Sequence, residues 1–126
     1  MRRIGIVGLM LAIISALVGV SAAALAENQC VCGGENKIVG PSSKIHGRLS
    51  AWNGTPSLRI WIIGTNRMLG VRDGTPLPRN LEDLMGNFDT EIYGDFTVCP
   101  LTQLKRGVMQ IVCVNSASNL TIRQRK

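Results

Sequence analysis

The chain has 126 residues, four cysteines and a formal net charge of +6. A chain this short holds one modest core rather than two independent domains. Its basic excess is too thin for the dense cationic face that nucleic-acid binding needs.

Arg2 and Arg3 precede an uncharged run from Ile4 to Ala26 that closes with Ala24-Leu25-Ala26. That is the pattern of an export signal cleaved after Ala26. The same run is long enough to cross a bilayer, so an uncleaved anchor is the rival reading. Lipidation at Cys30 fits less well, because Glu27-Asn28-Gln29 stand where small residues are wanted. Without Arg2 and Arg3 the chain keeps twelve basic against eight acidic side chains, a net +4. Such a surplus keeps a surface soluble and, in an exported protein, suits an anionic envelope surface or an acidic partner. The expected organisation is a signal peptide over 1–26, a flexible lead-in over 27–43 and a single β-rich domain over 44–126, located in the periplasm or secreted.

Apolar runs of strand length, separated by Gly, Pro, Asn and Asp, predict strands at Lys44 to Trp52, Leu58 to Gly64 and Met68 to Val71. Further strands are expected at Ile92 to Cys99, Val108 to Val114 and Asn119 to Arg123. Between the third and fourth strands, Asn80 can cap a short helix over Leu81 to Met85, with Asp83 answering and Gly86 ending the turn. The fold class is therefore mainly β, a small sandwich-like domain with one short helix.

Asn53-Gly54-Thr55-Pro56-Ser57 is the best hairpin signal in the chain. A hairpin centred on Thr55 puts Ile45, Leu49, Trp61 and Ile63 on a core side, and His46, Arg48, Ser50, Trp52, Ile60 and Ile62 on a mixed side. A slip of one residue would exchange these assignments.

On the mixed side, Trp52 and Asn53 offer a ring beside an amide while His46 and Arg48 bring donors, a combination suited to a glycan. In a sandwich, Trp52 would instead simply cover the second side of the sheet. Arg59, Arg67 and Arg72 form a second candidate cluster, since guanidinium forks suit carboxylates and phosphates, although arginines on strand edges also protect against edge pairing.

Chemistry is sparsely equipped. His46 is the lone imidazole, and no nucleophile elbow, metal-binding His pair or phosphate loop is present. A hydrolase would have to recruit His46, or divide acid and base roles among Asp89, Glu91 and Asp95.

Cys30, Cys32, Cys99 and Cys113 read as disulfides in an exported domain. A zinc site would want C-x2-C knuckles, and a redox pair would want C-x-x-C at a helix start, and neither is present. Three pairings are possible. A simple hairpin around Leu101 to Gly107 would make Val108 the mirror partner of Cys99, which opposes a bond to Cys113. The competing framework joins Cys30 and Cys32 each to one of the later cysteines.

Two stretches carry a resemblance. One runs from His46-Gly47-Arg48-Leu49-Ser50-Ala51-Trp52-Asn53-Gly54-Thr55-Pro56 through Arg59-Ile60-Trp61-Ile62-Ile63-Gly64-Thr65 to Arg67 and Leu69-Gly70-Val71. The other is Tyr93-Gly94-Asp95-Phe96-Thr97-Val98-Cys99-Pro100-Leu101 followed by Met109-Gln110-Ile111-Val112-Cys113-Val114. Over these the chain resembles a family of small exported bacterial proteins of uncharacterised function. The resemblance implies no activity, but it implies that Cys99 and Cys113 belong to one motif and favours pairing them. The resulting expectation is a non-catalytic binding or structural module of the cell envelope, with a small hydrolase using His46 and a membrane-anchored envelope component as alternatives. The expected partner is an envelope glycan or envelope protein, with no nucleic acid, no cofactor and no metal, and with membrane contact only transient through the signal segment.

Overall fold

The computed structural model describes residues 29–125. The expected signal segment and its cleavage site lie outside them. Among the described residues, no helix is long and apolar enough to cross a membrane.

Five strands, β1 (Ser43–Ala51), β2 (Leu58–Ile62), β3 (Met68–Val71), β4 (Thr90–Pro100) and β5 (Ile111–Gln124), close into one barrel in the order β1-β2-β3-β5-β4. All neighbours are antiparallel except β3 and β5, which run parallel. A single short helix, α1 (Arg79–Glu82), lies in the β3–β4 connection. The fold is mainly β with one short helix, as the periodicity predicts. The two facing layers are opposite walls of one closed sheet, the architecture of the five-stranded Greek-key barrel of OB type.

Closure needs bends, and the sequence supplies them inside β5. The region from Asn115 to Ser118 interrupts the apolar pattern and reads as a break between two strands, yet one strand runs through it. Register shifts against Tyr93/Asp95 and Thr97/Val98 leave extra residues on β5, and Asn119 there has φ 54. Asn tolerates this left-handed backbone, and such bulges bend a strand without ending it.

Leu49, Ile60, Leu69, Ile92, Phe96, Val112 and Val114 fill the barrel and are almost fully buried. Gly47 and Gly94 are partners across β1 and β4 and have the inward parity of Leu49 and Ile92. A Cβ on Gly47 would meet Ile60 Cγ2 at 2.5 Å, and one on Gly94 would meet Leu120 Cδ2 at 2.5 Å. The missing side chains give Ile60 and Leu120 their room, the small-against-large fitting that a narrow barrel requires. Leu81 of α1, fully buried, joins the core with Leu77, Leu84 and Met85 packed beside it. Asn80 does not cap this helix. Pro78 stands at the N-cap position without a side-chain bond, and the Asn80 amide instead donates to Ala117 O at 2.7 Å.

The disulfides are Cys30–Cys99 and Cys32–Cys113, which corrects the favoured Cys99–Cys113 pair. Cys99 and Cys113 are indeed direct partners across β4 and β5. Both have the outward parity, on the side crossed by the lead-in, and each bonds to the lead-in cysteine above it. From Gln29 onward the lead-in is consequently fastened to the barrel. Asn115, at one of the bulges, accepts from Val31 N and Cys32 N and donates to Gln29 O. Val39 N donates to Pro100 O. The two disulfides are consistent with a non-cytoplasmic protein.

Candidate functional site

The β1–β2 loop is shorter than a turn centred on Thr55. Trp52 N donates to Ser57 O at 2.7 Å, and the register pairs Leu49 with Ile60 and Arg48 with Trp61. The predicted register is therefore off by one residue. Ile60 turns into the core and Ile62 packs against it, while Trp61 moves to the outer surface with Arg59. Arginine 59 carried the missed signal: a core face through Trp61 and Ile63 would also have buried a guanidinium two residues earlier.

With this register, successive rungs of the outer face read Arg59, Ser50, Glu91, Arg123 and then Trp61, Arg48, Tyr93, Thr121 across β2, β1, β4 and β5. The Arg48 guanidinium carbon lies 5.0 Å from the Trp61 ring centroid. Trp52 has two such neighbours, Arg59 at 5.6 Å and Arg125 at 5.8 Å. These are cation–π distances. The Trp52 ring nitrogen donates to Ser50 Oγ at 3.1 Å, and Ser50 is almost fully buried.

Glu91 ties the arginines together. Its Oε2 lies 3.1 Å from Arg48 Nε and 3.8 Å from an Arg125 terminal nitrogen. The closer contact is an attraction between charges rather than a hydrogen bond, because the Arg48 Nε–H finds no aligned acceptor. Arg59 Nε donates to Pro56 O at 3.0 Å, and its terminal nitrogens take no protein partner among the described residues. Glu91 is therefore the carboxylate facing a group of arginines whose planes are already oriented by indole rings. Planar forks fixed in this way lose little further freedom on meeting a carboxylate or phosphate.

At the next rung, His46 Nδ1 contacts Asp95 Oδ1 at 3.0 Å, and Asn119 Nδ2 donates to Asp95 Oδ2 at 2.8 Å. These bonds hold the Asp95 carboxyl below its ordinary range, the Asn119 amide being the larger cause and His46 the second.

The structure thus gathers His46, Arg48, Trp52 and Arg59 on one outer face and adds Trp61, Glu91, Tyr93 and Arg125. Asn53 sits beside Trp52 in the exposed loop. Arg67 does not join Arg59, whereas Arg72 stands two residues beyond Gly70, the partner of Arg59 across β2 and β3. Arg67 lies at the opposite end of the barrel, where a terminal nitrogen donates to Gln110 Oε1 at 3.2 Å. Arg72 follows β3, and its Nε is buried without a hydrogen-bond partner among the described residues. The sulfurs of Cys32, Cys99 and Cys113 lie within 4.8 Å of one another, but all are committed to disulfides and offer no thiolate to a metal. Compared with protein-family models, curated proteins and solved structures, the chain matches none.

Proposed function

We propose that this protein is a non-catalytic binding module of the cell envelope, periplasmic or secreted, that holds an acidic glycan on the outer face of β1, β2 and β4. One observation carries the reading: Arg48, Arg59 and Arg125 stand over the Trp61 and Trp52 rings, and among the described residues Glu91 is the one carboxylate that pairs with any of them. Guanidinium forks answer carboxylate or phosphate groups, and indole ring faces answer the apolar faces of sugar rings. OB-type barrels often carry ligands on their outer strands, a likeness of fold rather than of site. The Arg2–Ala26 signal pattern and the two disulfides support the exported location.

His46 and Asp95 make an oriented imidazole, which is the strongest support for the hydrolase alternative. Among the described residues, no serine or cysteine side chain is hydrogen-bonded to His46. The binding reading uses more of the face and is preferred.

The test is calorimetric titration with an oligogalacturonate and a neutral oligosaccharide of equal length, at low and moderate salt. Binding of the acidic sugar alone, weakened by salt and by Arg59→Ala, is expected. Equal binding of both sugars, or of neither, would overturn the proposal.

A further inference from the structure

The far end of the barrel is open. Ile45, Ile62, Leu69, Val98 and Val112 form the floor of a cavity of about 290 Å³. Its wall includes Val39 and Pro41 of the lead-in and Leu104 of the β4–β5 loop, and Arg67, Gln103 and Gln110 contribute polar groups. Hydrogen bonds set these polar groups in place. Arg67 donates to Gln110 Oε1, Gln110 donates to Thr102 O, and Gln103 donates to Val39 O.

The cavity adjoins a groove that shares Arg67, Leu104 and Gln110 and continues along Lys105 and Arg106. Leu104 and Val108 on this loop are 64% and 61% exposed. Arg67, Lys105 and Arg106 make no ion pair with a carboxylate among the described residues. An aliphatic cavity thus opens onto unpaired cations, with exposed apolar side chains at the lip. Mouths of barrels are frequent ligand sites, and an apolar interior with a few convergent polar groups is their usual form.

We infer that this mouth binds a single-chain amphiphile with an anionic head, such as a fatty acid. The chain lies on the floor of Ile62, Leu69 and Val112, and the carboxylate meets Arg67. This site uses none of Arg48, Trp52 and Arg59 and does not depend on the glycan reading.

The probe is decanoate below its micellar concentration, followed by methyl and indole NMR signals of the labelled protein. Decyltrimethylammonium and acetate serve as head-group and chain controls, and anionic phospholipid vesicles as a bilayer control. Decanoate should shift the methyls of Ile45, Ile62, Leu69, Val98 and Val112 and leave the Trp52 indole, at the other end of the barrel, unmoved. Arg67→Gln should weaken decanoate by roughly tenfold, the scale of a lost charge-assisted hydrogen bond. Val39→Trp, made at the wall rather than in the core, should block the cavity with the fold intact. Unmoved floor methyls, shifts with vesicles but not with decanoate, equal binding of the cationic amphiphile, or an Arg67→Gln protein that binds as before would each overturn the inference.

Discussion

Arg48 and Trp61 face one another across β1 and β2, with the guanidinium 5.0 Å from the ring centroid, and the same guanidinium reaches Glu91 on β4 at 3.1 Å. One side chain therefore links three strands on the outside of the barrel. Within this patch, arginine and tryptophan alternate, and Arg48, Arg59 and Arg125 each lie over an indole ring.

Glu91→Gln should expose this dependence. The substitution leaves Arg48 and Arg125 without their carboxylate in a part-buried setting, and the loss of such a charge contact costs about 1–3 kcal/mol. Chemical denaturation would measure the loss. Affinity for an acidic sugar should hold or rise, since the face becomes more positive. A fall in affinity with stability unchanged would show Glu91 to be a ligand contact instead.

Trp52→Ala should weaken acidic-glycan binding, because Arg59 and Arg125 lose the ring that orients them. It also removes the donor to buried Ser50, so a stability loss of about 1–2 kcal/mol accompanies it. Trp52→Phe separates the effects, keeping an aromatic face while losing the Ser50 bond. Thermal unfolding together with titration checks both variants. A loss beyond about 3 kcal/mol for Trp52→Ala would mark the ring as core packing rather than a binding element.

The cysteine arrangement makes a covalent prediction. Cys30→Ser frees Cys99 beside the Cys32–Cys113 bond, with the three sulfurs within 4.8 Å of one another. A freed thiolate can attack such a neighbour, so non-reduced peptide mass spectrometry should find exchanged pairs that include Cys99. Cys30→Ser with Cys99→Ser should keep Cys32–Cys113 as the single bond and lose about 2–4 kcal/mol. A Cys30→Ser protein with only Cys32–Cys113 bonded would count against exchange.

Strand positions for β1, β2 and β3 were legible in the sequence because alternation and turn residues mark them within a few positions. Pairing was less so. The one-residue shift between Arg48 and Trp61 depends on how Trp52 and Ser57 close their loop, which is a property of backbone geometry rather than of periodicity. The continuity of β5 was hidden for a related reason: Asn115 and Asn119 resemble turn residues when read locally, and only the curvature of the closed sheet makes them bulges. Arg125 could not be assigned to Trp52 at all, since their contact depends on strand order around the barrel.

Asp95 gives a pH dependence with a defined sign. Its folded pKa lies below the unfolded one, so the stabilisation is present above the unfolded value, about 3.9, and is lost as pH falls through the folded value. Asn119→Gly keeps a backbone suited to φ 54 and removes the amide that is the larger cause of the shift. The Asp95 carboxyl should then titrate closer to its ordinary value in an NMR pH series. An unchanged titration would leave His46 as the dominant partner.

Gly47→Ala tests how tightly the barrel is fitted. The new Cβ would stand 2.5 Å from Ile60 Cγ2 and 2.9 Å from Trp61 O. Ile60 can change rotamer only into a filled core, and the carbonyl belongs to the strand that sets the Arg48–Trp61 register, so neither neighbour can move freely. Overpacking of this kind costs about 1–3 kcal/mol. Because relief requires β2 to shift, the variant should also disturb the Trp61 indole signal and weaken acidic-glycan binding. Ile60→Val made together with Gly47→Ala keeps the clashing Cγ2 but sheds Cδ1, which gives the side chain room to turn Cγ2 away, and should recover part of the stability. The carbonyl contact remains, so recovery should be incomplete, and full recovery would show that the side chain alone limits this position.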